Sequence, residues 1–298
     1  MDHALPDYWS QFIRLRYKAY RKLLKIIRYQ AGAKVDPKDD VHTPEEFAQL
    51  WGQKINPGDR TGQLERDAVP WIIEVDDGTT FDIQFIPSDG SESKLPKTAV
   101  VPHLMSFLRK ASGMGEQATA EQIFTRTEVV RGKRLILVSM ANLEGAATNM
   151  IQEFNNLLEF PIRHFTVREL QYDPTQHRAG PKSMTRLNQV EINQLIKDQR
   201  GLAFGNTRLA ANYEERLRQL DDAREKAAFV EEINEEILTK LPTINTNDPW
   251  VKWRGFKVGD VLREEFRFGL NTINYRRVIY IGPAVTKALK NKVAMTKK

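Results

Sequence analysis

The sequence predicts an α/β chain of α+β character in two domains, and three observations carry that expectation. Its 298 residues exceed the roughly 100–200 of an ordinary domain. Short apolar or alternating runs bounded by Gly, Pro and Asp are interspersed with amphipathic helical repeats, which places sheet and helix in one layer structure. From Leu241 the pattern changes sharply to a turn-rich, proline-punctuated segment that reads as a small unit of its own.

The elements follow in chain order. Asp7 to Tyr29 reads as an amphipathic helix with Phe12, Leu15, Ala19, Leu23 and Ile26 on one face. Arg14, Lys18, Arg21, Lys25 and Arg28 recur at alternating four- and three-residue intervals and stack into a cationic ridge. Without acids at i±4 these charges repel one another, so the ridge reads as a polyanion contact or as a solvated face. A membrane-surface helix is a third option, but it lacks the large apolar moment and a lipid signal. Thr43-Pro44-Glu45-Glu46 sets a capping box for a short helix through Trp51. Trp71–Ile86 forms two strands about a tight Asp77-Gly78 turn. Strands are expected at Thr98–Pro102 and Arg134–Met140, and helices at His103–Ala111 and Thr148–Glu159. Ser112–Ala120 is a small-residue connection between them, and the domain is expected to end at Pro161.

Pro174–Pro181 reads as a turn-rich crossing and Val190–Lys197 as a short helix. From Thr207 to Lys240 an apolar residue returns every three or four positions, Leu209 through Ile237, as in one long helix. Asp248 then stands as N-cap, Pro249 at the first helical position and Gly255 as the stop. Val261–Arg263 and Asn274–Tyr280 read as antiparallel partners.

Charge and composition narrow the function. With 41% hydrophobic and 28% charged residues the chain reads as folded, and no apolar run approaches the roughly 18 residues of a membrane span, so no membrane partner is expected. The absence of cysteine excludes disulfides, thiolate metal sites and a cysteine nucleophile. No secretory signal is evident at the start, which leaves cytosol or nucleus. The net charge of +6 is concentrated: eight basic residues and no acid lie between Tyr8 and Val35, and five and no acid between Pro283 and Lys298, leaving the remainder at −7. Focused positive charge is what a phosphate backbone attracts.

Enzyme chemistry finds little footing. His3, His42, His103, His164 and His177 are scattered without zinc-ligand spacing, no phosphate loop occurs, and Gly113-Met-Gly115 is too short for a dinucleotide fingerprint. Glu74 with Asp82-Ile-Gln84 resembles the acidic cluster of a Mg²⁺-dependent nuclease, but the position for its lysine is Ile86. No cofactor, metal site, catalytic residue or small-molecule substrate is expected.

Leu241-Pro-x-Ile, Asp248-Pro249, Gly255, Gly259, a Val261-Leu262 strand and a closing Tyr275-Arg276 strand together resemble the assembly domain of the fifth subunit of eukaryotic RNA polymerases, a family with an archaeal counterpart. Upstream, Ile162–Leu170 with Pro174 and His177 resembles the family's domain-joining stretch. The resemblance implies a jaw domain over 1–161, an assembly domain over 162–282 with a helical insertion near 201–236, and an added basic tail at 283–298. It implies a non-catalytic subunit in the nucleus, or the nucleolus if dedicated to ribosomal RNA synthesis, docked on the largest subunit and neighbouring small subunits. It also implies proximity to downstream double-stranded DNA. For DNA, Arg14, Lys18, Arg21 and Lys25 are the expected phosphate contacts, joined by Asn142 and the Gly145–Ala147 amides where the family carries a proline loop. That loop here holds Glu144 and no proline. For the subunit interface the expected anchors are Pro242, Ile244, Asp248, Pro249, Trp250, Trp253, Val261 and Tyr275; the alternative for the tryptophans is the domain's own core. A free-standing DNA-binding scaffold is the competing reading of the same charge pattern.

Overall fold

The structure, a computed structural model, describes residues 11–31, 43, 46–47, 71–75, 78–86, 93–115, 117–119, 122, 132–156, 158–177, 180–204, 215–266 and 272–280. These fall into two units: one comprises the described residues up to Pro174 together with Lys252–Gly255, the other Thr175–Val251 and the described residues from Phe256 onward. The fold is α/β with mixed sheets.

In the first unit helix α1 spans Gln11–Ala31, followed by strands β1 (Trp71–Glu74), β2 (Thr80–Phe85) and β3 (Lys94–Leu95). Next come helix α2 (Lys97–Ser112), β4 (Lys133–Ser139), β5 (Asn142–Leu143), helix α3 (Gly145–Asn155) and β6 (Arg163–Thr166). The main sheet runs β1-β2-β4-β6, antiparallel between β1 and β2 and parallel thereafter; β3 and β5 pair separately. A parallel sheet needs both faces covered, and the period-2 alternation along the strands shows how. Phe81, Ile83, Phe85, Ile136 and Val138 join Leu23, Ile26 and Ile27 of α1 in one core. Leu135 and Leu137 join Leu104 and Leu108 of α2 and Met150 of α3 in the other. Three layers result, α1 on one side and α2 with α3 on the opposite side.

The two expected strands pair, Trp71 with Ile83 and Glu74 with Thr80, and Gly78 takes φ +78°, a left-handed conformation that only glycine adopts cheaply. Asp77 of the expected turn lies outside the described residues. The capping box also forms, Thr43 N donating to Glu46 Oε2 at 3.2 Å and Glu46 N to Thr43 Oγ1 at 3.1 Å. The continuation of that helix to Trp51 lies outside the described residues.

Several expectations are corrected. Thr98–Pro102 is not a strand but the first part of α2, with Pro102 inside it. The Ala99-Val100-Val101 run looks extended in isolation. Yet Val100, Leu104, Phe107, Leu108 and Ala111 lie on one helical face and are all buried. At about 1.5–3 kcal/mol per large apolar side chain, that burial outweighs the roughly 3 kcal/mol of an interior proline. Helix α3 starts at Gly145 and ends at Asn155, earlier than expected at both ends. The first unit also extends past Pro161, because β6 is the fourth strand of its sheet.

The second unit contains β7 (Pro181–Arg186), helix α4 (Gln189–Phe204), helix α5 (Ala223–Thr239), β8 (Thr243–Asn245), β9 (Val261–Phe266) and β10 (Ile273–Ile279). The sheet order is β7-β9-β10-β8, with β8 parallel to β10 and the other pairs antiparallel. Strands β7 and β8 stand where the sequence pattern offers no strand; both are edge strands, β8 of only three residues, and only Pro181 and Met184 of β7 are buried. The single helix expected over Thr207–Lys240 is interrupted: 205–214 lie outside the described residues, 215–219 are helical, and Asp222 caps α5 by accepting from Arg224 N at 2.9 Å. Helix α5 packs on its own unit. Glu235 pairs with Arg277 of β10, and Leu238 packs with Leu195, Leu241 and Val261.

Helix α6 (Pro249–Arg254) follows Asp248, whose Oδ1 accepts from Trp250 N at 2.8 Å, and Gly255 ends it at φ +75°. Asp248→Ala is expected to lower unfolding free energy by about 1 kcal/mol, the usual worth of such a cap, read as a shift in urea midpoint at constant slope. An unchanged midpoint would show that the cap contributes nothing.

Candidate nucleic-acid and subunit interface

Burial divides the cationic helix α1. Arg16 is buried, its guanidinium 4.8 Å above the centre of the Phe85 ring. Lys18 and Arg28 are exposed, while Arg14, Arg21, Lys22 and Lys25 are half-buried. The ridge is not left to its own repulsion: Lys25 pairs with the buried carboxylate of Asp173, and Lys22 approaches the same oxygen at 3.9 Å. No local pattern signals this pairing, since the acid lies far along the chain. Lys25 is thereby committed to an internal ion pair; of the other predicted DNA contacts, Lys18 is exposed and Arg14 and Arg21 are half-buried.

Asn142 is exposed in β5, and Glu144 is the N-cap residue of α3, so Gly145–Ala147 form that helix's first turn. The loop expected there is instead a strand pairing, with Glu144 N donating to Leu95 O at 2.9 Å. Leu143 packs against the α2–α3 core, whereas α1 covers the other face of the sheet. The structure therefore does not join Asn142 and the cationic helix into one patch.

The predicted subunit-interface residues are corrected in part. Trp253 is 2% exposed in the core under α1, Trp250 is 6% exposed against Met184 and Val278, and Val261 is 1% exposed. These three fill cores rather than present anchors. Ile244 and Tyr275 are half-buried against their unit's cores, Asp248 is the half-buried cap, and Pro242 and Pro249 are exposed.

One cluster escaped sequence reasoning. Lys252 Nζ donates to Glu169 Oε1 at 2.6 Å and stands 4.9 Å from the centre of the Phe165 ring. Glu169 Oε2 accepts from Thr166 N at 2.7 Å, while Glu169 N donates to Thr166 Oγ1 at 3.1 Å, a capping box at the Thr166-Val-Arg-Glu169 turn. Beside it, His164 Nε2 lies 2.7 Å from Ser139 Oγ, which donates to Ala141 O at 2.6 Å. With that proton committed, His164 is the donor in the pair. Burial, then the Lys252 charge, push the His164 imidazole down to about 3, against a weaker upward pull from Glu169. Burial opposes the charge of Glu169, but Lys252 and the Thr166 bond together hold its carboxyl below the ordinary range. Ser139 is fully buried, and this serine–histidine contact ties β4 to β6.

The nuclease-like residues are arranged differently from a metal centre. Gln84 Nε2 donates to Asp82 Oδ2 at 3.1 Å, and His103 Nδ1 donates to Gln84 Oε1 at 3.1 Å. Ile86 is buried, Glu74 is exposed, and the described residues hold no group of three His, Cys, Asp or Glu side chains able to bind a metal ion. Burial raises the Asp82 carboxyl above its usual range and lowers His103.

Compared with known proteins, the chain matches no family model and no curated protein.

Proposed function

We propose that this chain is a non-catalytic subunit of a nuclear DNA-dependent RNA polymerase, docking on the largest subunit and standing near downstream DNA. The observation that carries the reading is the segment from Leu241 to Ile279. The described residues on which the resemblance to the fifth-subunit family rests fall in β8, a capped short helix with its glycine stop, and the antiparallel pair β9–β10. The three-layer first unit with a cationic outer helix is compatible with the jaw of that family. Docking then falls to exposed positions beside the buried anchors, Pro242 and Pro249 among them, because Trp250, Trp253 and Val261 are occupied internally. Phosphate contact falls first to the exposed Lys18, with Arg14 and Arg21 on the same helix, without base reading.

Affinity purification of the tagged full-length chain tests the reading. The two large catalytic polymerase subunits are expected to co-purify; recovery of a stable monomer with its own DNA affinity would support a free-standing scaffold instead. Within the assembled polymerase, Lys18→Gln and Arg21→Gln are expected to lower the salt slope of elongation-complex stability by about 0.9 per lost phosphate contact. An unchanged slope would mean that the ridge is a solvated face.

A further inference from the structure

A partly open cavity of ≈ 170 Å³ lies between the hairpin β1–β2 and the end of α2. Its depth and its mouth differ in chemistry. At depth stand the buried Phe107 and Ala111 with the carboxyl of Asp82, a residue 6% exposed. Toward the mouth stand Ile72, 54% exposed, and the exposed Lys110, together with half-buried Thr80 and Lys133.

Asp82 is held in position by a relay from outside the cavity. His103 donates to Gln84, and Gln84 donates to Asp82 Oδ2. The second oxygen, Oδ1, is buried and has no hydrogen-bond partner among the described residues. A buried carboxyl oxygen left without a partner costs about 1–3 kcal/mol or more, so a group kept in this state in a cavity wall is well suited to receive a donor. Lys133 is fixed as well, its Nζ donating to Ala111 O at 3.0 Å, and Thr80 pairs with it in register across β2 and β4.

We infer that this cavity binds a nucleotide: a heteroaromatic ring enters against Phe107 with an N–H directed to Asp82 Oδ1, and its phosphate meets Lys110 and Lys133 at the mouth. Cavity size restricts the buried part to about one ring system, since cavities near 150 Å³ hold a single benzene. An aromatic wall with one acceptor at depth suits an amino-bearing base edge, which carboxylates accept from. Paired cations at the entrance suit an anion that remains partly hydrated. The inference does not depend on the polymerase reading, and either can stand without the other.

Isothermal titration of the full-length chain with AMP, GMP, CMP and UMP, each at millimolar concentration, provides the test, with ribose 5-phosphate as the anion lacking a ring. Saturable binding of at least one nucleotide is expected, and ribose 5-phosphate is expected to bind much more weakly. Asp82→Asn and Lys110→Glu should each weaken the preferred nucleotide about tenfold or more, the scale of a lost hydrogen bond to a charged group. Lys110 is at the exposed surface, so its variant folds irrespective of what Asp82→Asn does to the core. Equal binding of ribose 5-phosphate would overturn the ring assignment, leaving a phosphate site only. Unaltered binding in both variants, or no saturable binding of any nucleotide, would overturn the proposal as a whole.

Discussion

Trp253→Ala is expected to lower the unfolding free energy of the first unit by about 3–5 kcal/mol, the cost of deleting a large aromatic from a core that closes only partly around the cavity. Trp253 is 2% exposed and sits in the cluster that unites α1 with one face of the main sheet, alongside Tyr20, Leu23 and Trp71. Its carbonyl, which accepts from Gln30 Nε2 at 3.0 Å, stays in the variant, so the loss is one of packing. Gly255, two residues on, tightens the same corner: a Cβ there would meet the Gln30 side chain at 3.0 Å. Urea unfolding followed by amide exchange in α1 measures the effect, and a change below about 1 kcal/mol would place the indole outside the core. An interface anchor would behave oppositely, leaving the isolated chain unaffected and weakening only its assembly.

The second large effect is expected on acidification. His164 is neutral in the folded chain down to about pH 3, whereas in the unfolded chain it takes up a proton near 6.5. Between those values the unfolded state binds more protons, so stability rises with pH and falls as the solution is acidified. At about 1.36 kcal/mol per pH unit the group removes about 3 kcal/mol between about pH 6.5 and 4. His164→Gln keeps an N–H donor for Ser139 Oγ and cannot titrate. Its stability curve is expected to be flatter by that amount, and the difference between the two proteins isolates the imidazole. Glu169, held low, adds loss only at lower pH, while Asp82 and Glu264, both raised chiefly by burial, work in the opposite direction as they protonate. Parallel curves for the two proteins from about pH 7 to 4 would refute the assignment.

Much of this architecture is legible where the determinant is local. Thr43 with Glu46, Gly78, Asp248 with Pro249, and Gly255 each act through the backbone within a few residues, and each forms as expected. The strand expected at Arg134–Met140 forms as β4, with Leu135–Val138 buried on both faces. What depends on distant partners is not legible. Strand β8 exists because Thr243 lies beside Arg277, and nothing in Thr-Ile-Asn demands it. Lys25 reads as part of a phosphate-seeking ridge until Asp173 is brought to it, and Lys252 has no apparent role until Glu169 arrives. For Trp250 and Trp253 the difficulty is of another kind: a buried core and a docking patch both select large aromatics, so residue type alone cannot separate them. The helix Lys97–Ser112 shows tertiary burial overriding a local preference.

Because Lys252–Gly255 completes a unit whose other described residues end at Pro174, that unit is not a contiguous stretch of polypeptide. During translation its hydrophobic interior stays open until Trp253 has left the ribosome. A nascent chain paused anywhere before that point exposes the surface that α1 and the sheet leave for the indole. Fragments ending near Pro174 inherit the same defect permanently, and their solubility is a poor guide to that of the finished protein.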